Sequence, residues 1–216
     1  EGPVLPFGLP ESAEYFHGLM TEVDSIADLE GPVRTTHLRM EPRLSLVPDF
    51  FDKFGKAPYN MEPRDTLLVD LCLAEEDILA QMKPKGRYNI GVAERAELTV
   101  KTGMTNELLE AFYDLYFATA RRSKFSGRGP KYFQELCNLL SANNQGEIIA
   151  IYQGKTALAA GVFLYYGSMA SYLYGGSGGD RNLMAPYLMH WEAIKRAKAR
   201  HCKIYDLLAI APPEAG

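Results

Sequence analysis

The 216-residue chain has few of the residues that build disulfide frameworks and metal centres. It contains three cysteines, Cys72, Cys137 and Cys202, and four histidines, with no C-x-x-C or H-E-x-x-H pattern. An odd number of widely spaced cysteines is typical of buried thiols in a reducing compartment. Scattered histidines do not make a zinc site. We therefore expect no disulfide, no metal, and a cytoplasmic location.

Patterns typical of a membrane span and of glycine-rich nucleotide loops are also missing. The chain has no P-loop and no G-x-G-x-x-G. Residues 156–179 carry no charge, and they have about the length of a membrane-spanning helix. However, this stretch is rich in tyrosine, serine and glycine, and Gly167-Ser168 separates two β-rich runs. The sequence therefore predicts a hairpin here and no transmembrane segment.

What the sequence does contain is the composition of an ordinary globular protein. Hydrophobic residues make up 47% and charged residues 23% of the chain, which excludes disordered and collagen-like classes. The net charge of -4 argues against a protein that coats nucleic acid. Charge is uneven, since residues 1–61 carry 10 acidic and 5 basic side chains whereas residues 62–216 carry 17 and 18.

Hydrophobic periodicity predicts a mixed α/β (α+β) fold with antiparallel strands in the middle of the chain. The clearest helix begins after Thr105, a residue type that caps helices well. Pro84 and Gly86 are expected to separate two further helical segments. Helices are predicted over residues 12–29, 75–81, 88–96, 131–141 and 184–200, and strands over residues 33–40, 65–73, 98–101, 147–152, 157–166, 171–174 and 204–208.

A cluster of basic residues predicts an anion site. Five bases lie within eleven residues, and the loop Ser126-Gly127-Arg128-Gly129 lies among them. Cations also favour the C-terminal end of a helix, which is the simpler interpretation of any one of them. Phosphate is the expected anion because arginine offers it two parallel donors. The cluster consists of Arg121, Arg122, Lys124, Arg128 and Lys131.

Two catalytic patterns do not carry their usual function here. Residues 175–179 match the hydrolase pattern G-x-S-x-G, but His201 precedes Asp206, which reverses the usual order, and a flexible turn explains the match. Acetyltransferases that use coenzyme A bind its pyrophosphate at a [Q/R]-x-x-G-x-[G/A] turn before a helix. No Arg or Gln in the chain has Gly three positions later, which disfavours coenzyme A but not the fold.

Two segments resemble the Fem (FemABX) family of peptidoglycan-bridge aminoacyltransferases. The first is MKPKGRYNI at residues 82–90, followed by Ala-Glu-Arg at 93–95. The second starts with YLYGGS at residues 172–177 and continues through RNLMAPYLMHWEAI at 181–194 to CKIYD at 202–206. The resemblance covers most of residues 31–212.

The resemblance implies tandem GNAT-like (acyl-CoA N-acyltransferase-like) domains that lack the coenzyme A site. Residues 1–61 would be part of a first domain, and residues 62–216 a second domain without its C-terminal end. Such enzymes transfer an amino acid from aminoacyl-tRNA to the stem-peptide amine of a peptidoglycan precursor, lipid II or UDP-MurNAc-pentapeptide. Aminoacyl-tRNA would be a co-substrate, with no cofactor and with peripheral contact to the inner membrane face.

The resemblance also implies roles for individual residues. Glu41, at the end of the predicted strand 33–40, matches an acidic residue that engages the acceptor amine. Arg122 matches an arginine that binds the nucleotide phosphates, and Tyr174 matches a tyrosine that contacts the precursor. Strand alternation places Tyr172 on the same face as Tyr174. Further candidates, for tRNA contact, are Lys83, Lys85 and Arg87.

Simpler interpretations stay open for each candidate. Glu41 can be a surface carboxylate, the two tyrosines can be core residues, and the bases at the start of the predicted helix can be solvated. At the level of function, the alternatives are a GNAT-fold N-acyltransferase with another acyl donor and a non-catalytic binder of tRNA or precursor. The chain begins without Met and ends just after a predicted strand, so we expect a fragment of a longer protein.

Overall fold

The computed structural model of the chain describes residues 65–208, with residues 17, 18, 20–22, 25, 55 and 58 before them. The chain divides into two compact units, residues 1–61 and 62–216, and the fold below is that of the second. Of the helix predicted over residues 12–29, those described are helical. Glu41, the strand predicted over 33–40 and nearly all of the predicted first domain lie outside the described residues.

Six strands form one mixed sheet in the order β1-β6-β5-β4-β3-β2. Neighbouring strands are antiparallel except β5 and β6, which are parallel and pair only over Met169–Ser171. The predicted mixed α/β class is therefore confirmed. The strands are β1 Leu68–Asp70, β2 Thr99–Gly103, β3 Gly146–Gln153, β4 Thr156–Tyr166, β5 Met169–Ser177 and β6 Ile204–Asp206.

In the described part of this unit, five α-helices pack on the two faces of this sheet. Helices α1, α2 and α5 contribute to the core on one face, and helices α3 and α4 to the core on the other. Because both faces are covered, β3 is buried along nearly its whole length, as expected for a strand between two helical layers. The helices are α1 Glu75–Gln81, α2 Pro84–Arg95, α3 Asn106–Ser123, α4 Pro130–Ala142 and α5 Ala185–Ala199.

The uncharged stretch over residues 156–179 forms the predicted hairpin of β4 and β5. Gly167, with φ of 58°, provides the left-handed residue of the turn. No helix among the described residues is long and apolar enough to cross a bilayer. All three cysteines are free thiols; Cys137 and Cys202 are buried as predicted, whereas Cys72 is exposed.

Helix α2 begins earlier than the sequence suggests. Pro84 starts the helix and does not interrupt it, because proline lacks only an N–H that a first-turn residue leaves unpaired anyway. Arg87 then lies in the first turn, and its Nη1 donates to the carbonyls of Leu79, Ala80 and Met82 at the end of α1. Arg87 therefore caps the C-terminal end of α1 by hydrogen-bonding its last carbonyls.

The prediction that Tyr172 and Tyr174 share one face is wrong. Phe163 pairs with Tyr172 and Val162 pairs with Tyr174, so Leu173 is an extra residue that forms a β-bulge. A classic bulge places two consecutive side chains on one side of the strand and shifts the alternation. Tyr172 consequently packs with the α2–α5 core, and Tyr174 packs with the α3–α4 core.

A partly buried ion pair connects the sheet to α5. Glu147 on β3 is only 4% exposed, and it accepts from Nε of Arg196 at 2.8 Å and from the hydroxyl of Tyr165 at 2.6 Å. A second nitrogen of Arg196 reaches the other carboxylate oxygen. The bidentate geometry and the extra hydroxyl compensate for the cost of burying the charge.

Helix α3 lies directly on β5 because Gly176 has no side chain. A Cβ atom at Gly176 would lie 2.3 Å from the backbone carbonyl carbon of Leu115 and from the backbone nitrogen of Tyr116. Those atoms belong to the helix backbone and cannot move aside as a side chain can. The distance between α3 and the end of β5 is therefore set by this glycine.

We predict that Gly176→Ala lowers the free energy of unfolding by about 2–3 kcal/mol, the upper part of the range for overpacking, because α3 must move off the strand. Chemical denaturation measures the change. Gly86→Ala is the matched control, since a Cβ at Gly86 would lie 3.9 Å from the Cβ of Met82, an ordinary contact. Replacing glycine by alanine within a helix stabilises the helix by about 1 kcal/mol. Equal stability of the two variants would contradict the role of Gly176.

Candidate functional site

The C-terminal end of α3 is hydrogen-bonded to the end of β5. The backbone N–H of Ser177 donates to Oγ1 of Thr119 at 3.1 Å, and that hydroxyl donates to the Ser177 carbonyl at 3.3 Å. Arg122 adds two bonds, from Nη1 to the Ser177 carbonyl at 3.1 Å and from Nη2 to Thr119 Oγ1 at 3.3 Å. The guanidinium is thus held at the point where the strand ends.

Arg122 keeps donors for a ligand in this position. Its side chain is exposed, and a guanidinium has five N–H donors, of which two are used by Thr119 and Ser177. The carbonyl that it contacts belongs to β5 and not to its own helix. The arrangement therefore differs from ordinary C-terminal capping, the simpler interpretation of this residue.

Tyr174 is partly buried, with its ring in an aromatic cluster and its hydroxyl against that of an exposed tyrosine. The ring packs edge-on against Tyr116 and Phe133, with centroids 6.1 and 5.2 Å apart. Its hydroxyl lies 2.9 Å from the hydroxyl of Tyr132, a residue that is 38% exposed. Core packing and ligand contact are therefore compatible, because they use different parts of the side chain.

The loop between α3 and α4 is fixed against Tyr116. Lys124 ends α3 in the left-handed conformation with φ of 57°. A Cβ at Gly127 would lie 2.8 Å from the Tyr116 ring, so only glycine allows this approach. The N–H of Arg128 donates to the Tyr116 hydroxyl at 3.3 Å, and the Arg128 guanidinium lies 5.4 Å from the centroid of the Tyr132 ring.

These residues form two groups on α3, β5 and the α3–α4 loop, and we call the two groups together the α3–β5 site. It combines two arginines, two tyrosine hydroxyls and the hydroxyl of a threonine on the sheet face that α3 and α4 cover. The guanidinium groups suit a phosphate or another oxyanion, whereas the Thr119 hydroxyl donates its one proton to the Ser177 carbonyl and helps to orient Arg122. The α3–β5 site consists of Thr119, Arg122, Arg128, Tyr132, Tyr174 and Ser177.

The other predicted site residues do not join it. Tyr172 lies on the opposite face of the sheet, where burial raises its pKa to about 12. Lys83 and Lys85 are exposed at the start of α2, which also packs on that face. Arg87 bonds to the end of α1. Glu41 lies outside the described residues, so its role stays a prediction.

Comparison with known proteins identifies the family. A sequence model of the acetyltransferase (GNAT) domain matches residues 85–214. The chain belongs to this family. The match includes every described residue of the α3–β5 site, and it confirms that the fold class was predicted correctly.

Two relatives of this GNAT domain are of the Fem type. The chain is 28% identical over 193 residues to UDP-N-acetylmuramoylpentapeptide-lysine N(6)-alanyltransferase of Weissella viridescens, covering 88% of this chain and 49% of that protein. The crystal structure of FemX superimposes with a TM-score of 0.65 at 15% identity, over 71% of this chain and 55% of FemX. The resemblance to the Fem family is confirmed, and the chain spans about half the length of these relatives.

The sequence did not indicate Tyr132 and Thr119, which are two further residues of the α3–β5 site. Tyr132 meets Tyr174 across 42 residues of sequence and Thr119 meets Ser177 across 58. The two glycines in the loop at residues 126–129 were the local sign that this loop packs closely on a neighbour, because Gly127 is needed for the approach to Tyr116. Contacts over such separations have no signature in a single sequence.

A shallow cavity adjoins the site between α3 and α4. Its volume is about 350 Å³, and it shares Phe133 with the packing around Tyr174. No group of three or more His, Cys, Asp or Glu among the described residues could hold a metal ion; the expectation of no metal stays a prediction. The cavity is lined by Leu109, Glu110, Tyr113, Asp114, Pro130, Phe133 and Gln134.

On the opposite face of the sheet, His190 packs against Tyr172. The two rings lie 4.6 Å apart edge to face, and Nδ1 of His190 lies 2.6 Å from the hydroxyl of Tyr205. Burial lowers the pKa of His190 from 6.5 to about 4, so the imidazole is neutral at neutral pH. This cluster is a packed polar core and not part of the α3–β5 site.

We predict that His190 makes the protein less stable as pH falls. Between pH 6.5 and about 4 the unfolded chain binds a proton at this residue and the folded chain does not, so the free energy of unfolding decreases through this window. His190→Gln should flatten that part of the profile, measured by urea denaturation at a series of pH values. His201→Asn is the control, because it removes an exposed histidine that lies outside this buried cluster. A wild-type slope in His190→Gln would contradict the prediction.

Proposed function

We propose that this chain is part of an aminoacyltransferase that adds an amino acid to the stem-peptide amine of a peptidoglycan precursor. The relation to the lysine N(6)-alanyltransferase of Weissella viridescens, over 88% of the chain, carries the proposal. The donor would be aminoacyl-tRNA as co-substrate, without a cofactor. The acceptor would be UDP-MurNAc-pentapeptide or lipid II, met in the cytoplasm or at the inner membrane face.

The reaction is aminolysis of an ester. The lysine ammonium of the acceptor has an ordinary pKa of about 10.4 and must lose its proton before it attacks the aminoacyl ester. The tetrahedral intermediate then carries an oxyanion, which needs cations or N–H donors. We assign the contact with the acceptor amine to Glu41, on the strength of the Fem resemblance alone.

The α3–β5 site supports precursor binding. Arg122 would bind the phosphates of the precursor with the donors left after its contacts with Thr119 and Ser177. Tyr174 would contact the precursor through its hydroxyl, which already meets Tyr132 near the surface. A phosphate there would be held by two or more charge-assisted bonds.

The turn that follows β5 supports a donor other than coenzyme A. In enzymes that use coenzyme A, backbone N–H groups at such a strand-to-helix turn bind pyrophosphate. Here the carboxylate of Asp180 already accepts the N–H of Asn182 at 2.9 Å. A carboxylate at this position repels a second anion, and it occupies an amide that a phosphate would need.

The test is transfer of label from a pool of radiolabelled aminoacyl-tRNAs to a lysine-bearing muramyl-pentapeptide precursor, with this chain and with the complete product of its gene. Ribonuclease should abolish labelling of the precursor. Labelling that survives ribonuclease and requires an acyl thioester would establish the alternative N-acyltransferase. Binding of tRNA or precursor without transfer by either protein would establish a non-catalytic binder.

We predict that Arg122→Ala weakens binding of UDP-MurNAc-pentapeptide by about 10–100-fold, because a hydrogen bond to a charged group is worth about 1.5–3 kcal/mol. The loss should be largest at low salt. Isothermal titration measures the affinity, with Lys155→Ala as the control because Lys155 is an exposed cation in the β3–β4 turn. Unchanged affinity would leave Arg122 with its structural contacts alone.

Glu41→Gln should slow transfer at least 10-fold while leaving precursor affinity within about twofold, since removing a proton acceptor costs 10²–10⁴-fold in typical enzymes. Single-turnover kinetics with saturating precursor separates the two effects. Wild-type rates would remove Glu41 from the mechanism. Loss of affinity without loss of rate would reassign it to binding.

A further inference from the structure

The outer side of helix α3 is divided into an acidic half and a basic half. Four exposed residues recur there every three or four positions, a spacing that places them along one side of a helix. Glu110 and Asp114 carry negative charge, Phe117 lies in the middle with 47% of its side chain exposed, and Arg121 follows toward the C-terminal end. We call these four residues the α3 stripe.

The charges of the α3 stripe have no ion-pair partner in the part of the chain that the structure describes. None of its ion pairs involves Glu110, Asp114 or Arg121. Asp114 and Arg121 are seven residues apart, which is about 10 Å along a helix and too far for an ion pair. Residues 115–134 contain no acidic residue, so no carboxylate lies within one helical turn of Arg121.

The helix macrodipole does not account for this division of charge. The macrodipole favours acidic side chains in the first turn and basic ones in the last, and Glu107, which pairs with Lys101 at 2.9 Å, is such a first-turn acid. Asp114 lies in the third turn of α3, beyond the reach of that effect. Glu110 and Asp114 are also four residues apart, an arrangement of like charges that destabilises a helix. The acidic half of the stripe is therefore not required for folding of α3.

We propose that the α3 stripe is a dimerisation surface, on which α3 of a second copy of this chain packs antiparallel. A two-fold axis beside Phe117 passes midway between Asp114 and Arg121. Each of these two residues is about 5 Å from the axis along the helix, so Asp114 of one copy is level with Arg121 of the other. A two-fold interface makes every contact twice. Opposite charges at mirrored positions favour a second copy over an unrelated partner, because one helix then supplies both halves of the pair.

The middle of the α3 stripe suits such a contact. Phe117 stacks on Tyr113 with ring centroids 6.1 Å apart, and the Arg121 guanidinium lies 4.9 Å from the Phe117 centroid. The Phe117 ring is therefore held by its own chain, and it has little rotational freedom to lose when a partner covers it. Two such rings meeting at the axis bury apolar surface between flanking charges, the usual arrangement of an apolar centre within a polar rim.

Pairing along the α3 stripe leaves Arg122 accessible. Arg122 directly follows Arg121, so it lies about 100° away around the helix. Its guanidinium is held at the Ser177 carbonyl on β5 and not on the outer side of α3. The inference therefore goes beyond the proposed function and does not depend on it.

Sedimentation velocity at a series of protein and salt concentrations tests the proposal. The wild type should dimerise as its concentration rises, and added salt should weaken the dimer because exposed charges are screened. Asp114→Arg and Arg121→Asp each replace two attractive contacts by two repulsive ones, so each variant alone should dimerise at least 10-fold more weakly. An equimolar mixture of the two variants restores both attractive contacts and should dimerise as the wild type does.

Glu94→Arg is the matched control, because it reverses an exposed charge on α2, which packs on the opposite face of the sheet. It should dimerise as the wild type does. Circular dichroism checks the fold of each variant, and recovery of the dimer on mixing shows independently that both reversed chains are folded. A wild type that is monomeric at every concentration, dimerisation unchanged by either reversal, or no recovery on mixing would overturn the proposal.

Discussion

The candidate site depends on the contact of helix α3 with strand β5 at Gly176. A side chain there would meet the helix backbone at 2.3 Å, so the missing Cβ lets Thr119 and Arg122 reach Ser177. The same approach brings Tyr116 against Tyr174, and Tyr116 then holds the following loop through Gly127 and Arg128. One small residue in the sheet thus orders the end of a helix, the end of a strand and a basic loop.

The bulge at Leu173 determines which side chains can belong to that site. Without the extra residue, Tyr172 and Tyr174 would point to the same helical layer. With it, one aromatic ring enters the neutral polar core around His190 and the other enters the layer that carries the cations. The parallel partner β6 pairs with β5 only before the bulge, so among the described strands only β4 pairs with the part of β5 that reaches the site.

Sequence reasoning succeeded where the signal is local and failed where it is tertiary. Thr105 caps α3 as predicted, with its hydroxyl accepting the N–H of Leu108 at 3.3 Å, because capping depends on neighbouring residues. The hairpin within residues 156–179 was predicted correctly for the same reason. Pro84 was misread as a break, since its compatibility with a first turn depends on where the helix starts. The face of Tyr172 was wrong because a bulge is set by the register of two strands.

The contacts of Arg122 have an entropic consequence. A free arginine side chain has about 2 kcal/mol of rotamer entropy to lose, and an exposed arginine would lose it when a ligand arrives. Arg122 is already hydrogen-bonded to Thr119 and Ser177, so this rotamer entropy is lost when the protein folds and not when a ligand binds. Under the proposed function, its remaining N–H groups would meet a phosphate in one orientation, and the site would select for the direction of approach as well as for charge.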